Sequence, residues 1–253
     1  MIIMIIANGC VVTLKDSAVN NAYGTIVSSQ TIGKATNNGT IKIESGHYTC
    51  TADNAFWAGG KNDIGHIVVE DGEITAQECA IGVGKDSSII VEDGVLTGLD
   101  NSVLGGNGSA GYEGATITVN GGQFNGHIQT AGYTGCGIYM PNDGVVTVNG
   151  GKFNIDGVGI AARAGQININ GGEFISTVAT EGWVGDKKTQ LSANGVYYDG
   201  AANYPGLAEG ASLNITGGTF VNTADATISA AKVTQPTNGI SVSVNAGSWP
   251  VAE

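Results

Sequence analysis

The chain has 253 residues, of which 42 are glycine, 4 are proline and 13% are charged. Glycine does not recur at every third position, which excludes a collagen helix, and the high glycine content favours a turn-rich β protein. The 22 acidic and 10 basic residues give a net charge of −12, which argues against nucleic acids and anionic membrane surfaces as partners.

The first predicted unit covers residues 1–20. It opens with MIIMII (1–6), an apolar run that lacks a basic flank and is too short to cross a membrane. We therefore predict a starting strand here and no membrane insertion. The following segment VTLKDSAV (12–19) is a degenerate copy of a repeat found later, with Ser17 in place of its glycine. Residues 1–20 are thus expected to form a degenerate first coil.

Eight segments between residues 40 and 249 share the pattern Φ-x-Φ-x-x-Gly-x-Φ, in which Φ is apolar, as in TITVNGGQF (116–124). Their glycines are Gly46, Gly72, Gly94, Gly122, Gly151, Gly172, Gly218 and Gly247. Alternation with period two places the first two apolar residues on one face of a strand. The glycine permits a tight bend that returns the third apolar residue to the interior. Each copy is therefore predicted to be a strand, a corner and a second strand.

Successive glycines are 26, 22, 28, 29, 21, 46 and 29 residues apart, and one coil of a parallel β-helix uses about this many residues. The interval of 46 predicts two coils, the second including VYYDG (196–200), and residues 175–211 are expected to be a long inserted coil or loop region. Helical repeats are excluded by the alternation, and a β-propeller needs longer units. The sequence predicts an all-β, right-handed single-stranded parallel β-helix (solenoid) of roughly nine to ten coils, as one domain over residues 1–253.

The residue two positions before each glycine is expected to point outward. This column contains Lys15, Glu44, Glu70, Glu92, Asn120, Asn149, Asn170, Thr216 and Asn245. Its asparagines are predicted to hydrogen-bond to one another along the rod, as in cross-β structures. Glutamates in neighbouring coils, joined by neighbouring aspartates, would repel one another. The five carboxylates are those of Glu44, Glu70, Asp71, Glu92 and Asp93.

Two hypotheses account for this acidic edge. The carboxylates either bind Ca²⁺, the only cofactor that the sequence suggests, or are solvated and screened by salt. Screening is favoured because no spacing resembles a dedicated calcium loop.

Aromatic residues outside the repeat columns are predicted to lie exposed in the longer loops. They are Phe56, Trp57, Tyr112, Tyr133, Tyr139, Trp183, Tyr197, Tyr198 and Tyr204. The candidate glycan-binding residues among them are Trp57, Tyr112, Tyr133, Tyr139, Trp183, Tyr197 and Tyr198. Exposed aromatic rings stack on sugars, but tyrosine and tryptophan are also enriched where coil edges or subunits are covered. Both interpretations stay open.

The cysteines and histidines show no metal-binding spacing. The four cysteines (Cys10, Cys50, Cys79 and Cys136) are expected to be buried free thiols, with a Cys50–Cys79 bridge as the alternative. The three histidines (His47, His66 and His127) are expected at the surface.

The repeat resembles the right-handed β-helix superfamily, which includes pectate lyases, polygalacturonases, phage tailspikes and bacterial adhesins. The catalytic motifs of the enzymes are missing. The Gly-His pairs at 65–66 and 126–127 lack a following glycine, and Arg163 has no lysine two residues later. Because Asp100 and Asp156 are scattered and not paired, we predict no catalytic residue.

A second resemblance is to glycine-rich repeat proteins of phages and prophages of gut Firmicutes, carried by residues 130–174 and 181–206. It implies a head fibre, a decoration protein or a tail-associated protein. The expected function is therefore non-enzymatic display on a virion surface, with binding of host or mucosal glycans. Other virion or surface proteins and further copies of the chain, for instance in a trimer, are the expected partners. The alternatives are a bacterial surface or extracellular adhesin, and a polysaccharide lyase or glycoside hydrolase.

Overall fold

The computed structural model describes residues 4–15, 25–127, 135–176, 180–184, 187–191, 194–199, 211–222, 229–234, 241–244 and 251–252. Every element in these residues is a β-strand. In chain order the strands are β1 (Met4–Ile6), β2 (Val11–Leu14), β3 (Thr25–Ser28), β4 (Gly33–Ala35), β5 (Gly39–Ile43), β6 (His47–Cys50), β7 (Phe56–Ala58), β8 (Gly65–Val69), β9 (Glu73–Ala76), β10 (Ile81–Val83), β11 (Ser88–Val91), β12 (Val95–Gly98), β13 (Ser102–Gly106), β14 (Ala115–Val119), β15 (Gln123–Gly126), β16 (Cys136–Met140), β17 (Gly144–Val148), β18 (Lys152–Ile155), β19 (Val158–Ala162), β20 (Gln166–Ile169), β21 (Glu173–Ser176), β22 (Thr180–Val184), β23 (Lys187–Leu191), β24 (Asn194–Asp199), β25 (Ser212–Ile215), β26 (Thr219–Asn222), β27 (Ser229–Thr234), β28 (Ser241–Val244) and β29 (Val251–Ala252). Within the same residues, no helix has the length and apolar character needed to cross a membrane.

The strands form three parallel sheets, which we name A, B and C. Sheet A has the order β1-β4-β7-β10-β13-β16-β19-β24-β27-β29, sheet B the order β2-β5-β8-β11-β14-β17-β20-β25-β28, and sheet C the order β3-β6-β9-β12-β15-β18-β21-β26. The chain visits A, B and C in turn, and equivalent residues pair in register, as Ile89 does with Ile67 and Ile117. The predicted parallel β-helix is confirmed.

Six turns of the helix, those beginning at β4, β7, β10, β13, β16 and β19, are described without a gap from sheet A to sheet C. This number is smaller than the nine to ten coils expected from the repeat. The other strands extend the sheets to ten, nine and eight strands. Outside the three sheets, β22 and β23 form an antiparallel hairpin within the predicted insertion at 175–211.

The three apolar columns of the repeat form the interior. None of their described members is more than 5% exposed. The two columns before the glycine contain Ile41, Ile67, Ile89, Ile117, Val146, Ile167 and Leu213, and Ile43, Val69, Val91, Val119, Val148, Ile169 and Ile215. The column after the glycine contains Tyr48, Ile74, Leu96, Phe124, Phe153, Phe174 and Phe220. The side chains of Val242 and Val244, and residues 247 and 249, lie outside the described part of the chain.

The corner glycines adopt the backbone conformation that the repeat predicts. The seven described ones have φ between 89° and 113°, a region that residues with a Cβ rarely occupy. At this bend the chain leaves sheet B and enters sheet C, which directs the next apolar residue back to the core.

Four phenylalanines of sheet C stack along the axis. Phe124 and Phe153 have ring centroids 4.6 Å apart, and Phe153 and Phe174 are 4.5 Å apart with rings only 8° from parallel. The stack continues to Phe220, 5.2 Å from Phe174. Sheet A provides the space for these rings, because a Cβ at Gly137 would lie 2.7 Å from Cδ1 of Phe153. Small residues in one sheet thus match large residues in another.

The predicted irregular coils are placed as follows. β1 and β2 pair with β4 and β5, so the described part of residues 1–20 does start the stack, whereas Ser17 lies outside the described residues. The prediction of two coils in the interval of 46 residues is wrong. β24, which includes part of VYYDG, starts the same turn that continues to β25 and β26, because β20 pairs directly with β25 and β21 with β26. The hairpin β22–β23, and not a further coil, lengthens this interval.

Candidate functional site

The outward column before the corner glycines forms a ladder of side-chain hydrogen bonds. Asn149 donates through Nδ2 to Oδ1 of Asn120 at 2.8 Å, and Asn170 donates likewise to Asn149 at 2.9 Å. Asn120 donates to Glu92 at 2.9 Å, and Thr216 donates to Asn170 at 3.0 Å. The predicted asparagine ladder is confirmed for these residues. Asn245 lies outside the described residues.

Lysines pair with the first two glutamates of the acidic edge. Lys42 Nζ lies 2.9 Å from Glu44 and 3.0 Å from Glu70, and Lys15 lies 3.0 Å from Glu44. The hydrogen bonds from Lys42 and Lys15 hold the pKa of Glu44 below its usual value. The sequence hypotheses omitted Lys42, although it lies two residues before Glu44 and hence on the same face of the chain.

The remaining acidic residues of this edge have hydrogen-bonding partners too. Asp71 accepts from the Gly72 N–H at 2.7 Å, Asp93 accepts from the Gly94 N–H at 2.8 Å, and Glu92 accepts from the asparagine ladder. No group of three or more histidine, cysteine, aspartate or glutamate side chains in the described residues is arranged to hold a metal ion. Lysines, backbone amides and the Asn120 amide thus contact these carboxylates.

Several aromatic residues predicted in exposed loops lie in strands instead. Phe56 in β7 is fully buried, and Tyr197 and Tyr198 in β24 are 4% and 0% exposed. Tyr198 faces the core and donates to the Gly165 carbonyl at 2.7 Å, and burial raises the pKa of its hydroxyl. Tyr197 faces outward but packs against Cys136, Val158 and Ala161. The expected exposure of these three aromatic residues is therefore wrong, because strand pairing in sheet A places them.

The other aromatic candidates have different positions. Tyr139 lies half-buried in β16, on the outer face of sheet A. Only the backbone of Trp183 is described, in β22, and Tyr133 and Tyr204 lie outside the described residues. Trp57 and Tyr112 are both half-buried and accessible.

Trp57 and Tyr112 meet at one cavity on sheet A, although they are 55 residues apart in sequence. The cavity has a volume of about 250 Å³ and is lined by Thr31, Lys34, Asp53, Trp57, Gly59, Gly60 and Tyr112. Sequence reasoning found the two aromatic residues of this group and missed its charged ones, Lys34 and Asp53. We name it the Trp57 cavity.

The Trp57 indole lies flat on the backbone of the next coil. Gly82 pairs with Trp57 in sheet A, and a Cβ at Gly82 would lie 2.7 to 2.8 Å from three atoms of the indole ring. Gly105 follows in the same outward row. Gly82 therefore leaves the space that the ring occupies, and the backbone at this residue fixes its plane.

Tyr112 is brought to the cavity by an eight-residue connection, 107–114, between β13 and β14. Asn142 supports this connection by donating through Nδ2 to the carbonyls of Asn107 at 2.7 Å and Ser109 at 3.1 Å. The Glu113 carboxylate accepts from the Gly111 N–H at 3.0 Å, and this bond keeps the pKa of Glu113 below its usual value. Side chains thus order the connection next to Tyr112.

Lys34 and Asp53 present opposite charges to the Trp57 cavity. They form no ion pair with each other, and among the described residues Lys34 has none at all. Asp53 accepts from the Asn54 N–H through Oδ1 at 2.7 Å. The ammonium of Lys34 and the second oxygen of Asp53 are therefore available to a ligand.

A group of carboxylates adjoins Asp53. Although the Glu78 side chain reaches the surface, partial burial of its carboxyl raises its pKa, and the charges of Asp53 and Asp100 raise it further. Gln77 donates to the Asp100 carboxylate. Stacking of coils thus brings Asp100 near Glu78, a neighbour that the sequence analysis did not consider for it.

A second cavity of about 270 Å³ lies beside the first and is lined by Lys61, Asn62, Asp63, Ile64, Lys85 and Asp86. We name it the Lys61 cavity. The connection 59–64 between β7 and β8 contributes to both cavities. It is fixed at Gly60, whose N–H donates to the Asp63 carbonyl and whose carbonyl accepts from the Lys85 N–H, both at 2.9 Å.

The histidines pair with residues of the following coil. His47 Nδ1 lies 2.9 Å from Glu73 Oε2, His66 Nδ1 lies 2.8 Å from Ser88 Oγ, and His127 Nδ1 lies 3.4 Å from Asp156 Oδ2. All three are at least partly accessible, in line with the surface positions expected for them.

All four cysteines are free, so the alternative of a Cys50–Cys79 bridge is wrong. Burial raises the pKa of the Cys79 thiol to about 11. Cys50 and Cys136 are buried as well, as expected, whereas Cys10 is exposed.

Comparison of the chain with protein-family models, with curated proteins and with solved structures finds no match. The fold is therefore established by the chain's own repeat and by the parallel pairing of its three sheets. The Trp57 and Lys61 cavities and the ends of the sheets are the candidate binding surfaces.

Proposed function

We propose that this chain is a non-enzymatic display module with a glycan-binding site at the Trp57 cavity. The observation that carries the proposal is the meeting of Trp57 and Tyr112 with Lys34 and Asp53 in one cavity. Aromatic rings bury the apolar face of a sugar, and charged side chains bond to its polar groups. A small number of placed polar groups in an otherwise apolar pocket is typical of small-molecule sites.

The fixed position of the indole supports binding. Because the ring lies on Gly82, it has little freedom to lose when a ligand binds, and such preorganisation lowers the entropic cost of association. Tyr112 stands on a connection that Asn142 holds in place. Both aromatic rings are thus held in position by the fold in the absence of a ligand.

Display on a phage virion, as a head fibre, decoration protein or tail-associated protein, is the setting we propose for the module. The resemblance of residues 130–174 and 181–206 to phage and prophage repeat proteins supports it. The stacked core and the asparagine ladder favour a stiff rod, which suits a protein that holds a binding site away from a surface.

The first coil supports attachment to other virion proteins or to further copies of the chain, as in a trimer. β1, β2 and β3 are the terminal strands of their sheets, and such edges tend to pair with another chain. Ile5, Val11 and Val27 on these strands are 62%, 63% and 65% exposed. A neighbouring subunit would remove these apolar side chains from water.

A glycan array tests the binding site. We expect the wild-type protein to bind a defined set of glycans and Trp57→Ala and Tyr112→Ala to lose at least about tenfold in affinity, as for a central aromatic contact. Tyr139→Ala is the matched control, because it removes an aromatic ring from the same outer row of sheet A without touching the cavity. An empty array, or binding unchanged in Trp57→Ala, would contradict the proposal.

The same module on a bacterial envelope would be an adhesin. Mass spectrometry of purified virions and of cell envelopes separates the two settings. Many copies in virions support the phage setting, and recovery from envelopes alone supports the adhesin.

One observation favours the enzymatic alternative, a polysaccharide lyase or glycoside hydrolase. Glu78 lies beside Asp53 and Asp100, and its pKa is raised. A carboxyl group with a raised pKa next to a second carboxylate is typical of the general acid in a glycosidase. Incubation with pectin and capsular polysaccharide, followed by assays for reducing ends and unsaturated sugars, tests it. Products that disappear with Glu78→Gln would replace our proposal by the enzymatic one.

A further inference from the structure

The Trp57 and Lys61 cavities lie on the two sides of one connection. Gly59 and Gly60 line the first cavity, and the next four residues, 61–64, line the second. Gly59 has φ of +67°, and a Cβ there would lie 2.5 Å from the Asp63 carbonyl oxygen. The connection thus forms a ridge between the two cavities, and its first two residues, both glycines, have no side chain to fill the first cavity.

Each cavity presents side chains of both charge signs, and in each a lysine forms no ion pair among the described residues. Lys34 and Asp53 form no ion pair at the Trp57 cavity. At the Lys61 cavity the ion pair between Lys85 and Asp86 is long, 4.0 Å, and among the described residues Lys61 forms none. Each cavity can therefore offer a hydrogen-bond donor and a separate acceptor to the same ligand unit.

An acetamido group matches such a pair of charges. Its N–H donates to a carboxylate and its carbonyl accepts from an ammonium, as either cavity can provide, and at the Trp57 cavity its methyl group can also pack on an aromatic ring. A single hydroxyl must serve both partners from one oxygen, whereas the acetamido group has a separate nitrogen and oxygen for them. The side chains thus favour N-acetylated sugars over their hydroxyl counterparts.

We propose that the two cavities are adjoining subsites for consecutive N-acetylhexosamine units of a linear glycan. This inference rests on the proposed glycan-binding function and names its ligand class. With volumes of about 250 and 270 Å³, each cavity is smaller than the sites of about 300 Å³ or more that enclose drug-sized ligands, so each takes one unit. The glycan crosses the ridge at Gly60.

Calorimetric titration with N-acetylglucosamine and its β-1,4-linked dimer, trimer and tetramer tests the inference. We expect the trimer to bind at least about tenfold more tightly than the monomer, because a second subsite adds its contacts without a second cost of association. Cello-oligosaccharides of equal length are the matched ligands, since they differ only by a hydroxyl in place of the acetamido group, and should bind at least about tenfold more weakly.

Variants separate the subsites. Lys61→Gln should weaken the trimer several-fold and leave the monomer unchanged, whereas Asp53→Asn should weaken both. Gly60→Ala is a steric probe, because its Cβ would meet only the mobile end of Lys34, with Nζ at 3.1 Å, and would fill space in the Trp57 cavity. Thermal melting of each variant shows that it is folded.

The outcomes distinguish this inference from the function on which it rests. Equal affinities for monomer and trimer, a Lys61→Gln variant that binds the trimer normally, or equal binding of cello-oligosaccharides would overturn the two-subsite proposal. If array glycans of another class bind and Trp57→Ala abolishes that binding, the function stands and the ligand class is wrong. If Trp57→Ala leaves all binding intact, the proposed function itself fails.

Discussion

At the scale of single residues, Glu92 gives the asparagine ladder its direction. An ionised carboxylate only accepts hydrogen bonds, so Asn120 must turn its Nδ2 towards Glu92. Its Oδ1 then faces the next coil and accepts from Asn149, and the same orientation repeats to Thr216. One acidic residue thus orients the amides of three later coils.

Glu78 gives a pH dependence that can be tested. Because its pKa in the folded protein is raised, the folded state disfavours the ionised form, and Glu78 lowers stability as the pH rises through its unfolded pKa near 4.5. We expect Glu78→Gln to melt higher than wild type at pH 7, by up to about 2 °C for a partly screened group, and to match it below pH 4. Thermal melting followed by circular dichroism between pH 3 and pH 8 measures this.

Glu44→Gln is the control of opposite sign. Since Lys42 and Lys15 lower the pKa of Glu44, its ionised form stabilises the folded state above the unfolded pKa, and this stability is lost as the pH falls. The variant should therefore melt lower than wild type at pH 7 and approach it in acid. If the melting temperatures of the two variants changed in the same direction with pH, the opposite signs assigned to Glu44 and Glu78 would be refuted.

At the scale of elements, the strands of one turn are matched in size across the interior. The phenylalanines of β15, β18, β21 and β26 stack in the interior, and Gly137 of sheet A leaves room for Phe153. From β5 to β25, sheet B contributes inward Ile, Val and Leu side chains that are buried. A change of side-chain volume in one sheet therefore has to be absorbed by another.

Phe153→Ala removes the middle of the stack. We expect the free energy of unfolding to fall by about 3–5 kcal/mol, since a fully buried ring is lost and its rigid neighbours cannot close the space. Urea unfolding followed by circular dichroism measures the change. Thr147→Ala, on the outward face of β17, is the control and should change the free energy by no more than about 0.5 kcal/mol. Equal losses in the two variants would mean that the ring is not part of a packed core.

At the scale of the whole molecule, each coil is supported by the coils on either side of it. The inner strands of the three sheets have two neighbours, whereas β1, β2 and β3 have one each. Stability in such arrays is a sum of coil and interface contributions, so terminal coils are the weakest. The first coil also exposes apolar side chains to water, so it gains less stability from burial than the inner coils do.

Hydrogen exchange should reveal this gradient. We expect amides of β14 and β17 to exchange at least about a hundredfold more slowly than those of β1, β2 and β3 in the isolated protein, because opening an end costs less than opening the middle. Peptide-resolved mass spectrometry at neutral pH measures the rates. Protection of β1 to β3 equal to that of the centre would show that the first coil is as stable as the inner ones.

The core could be read from the sequence because it depends on local alternation repeated in register. Ile117, Gly122 and Phe124 fall at fixed offsets within one copy, and stacking equal copies brings equal residues together, which also yields the asparagine ladder. The same spacing misled at the interval of 46 residues, which holds one coil with the inserted hairpin β22–β23 and not two coils.

The candidate site was decided by the tertiary structure. Tyr112 reaches Trp57 of β7 because the eight-residue connection 107–114 extends to the cavity, and connection length does not follow the repeat. Lys34, which pairs with Trp57 from the preceding coil, has no sequence signal of its own. The burial of Tyr197 likewise depends on Cys136 and Ala161 in other coils. Periodic hydrophobicity specifies the strands, whereas the irregular connections and the neighbours across coils determine which side chains share a surface.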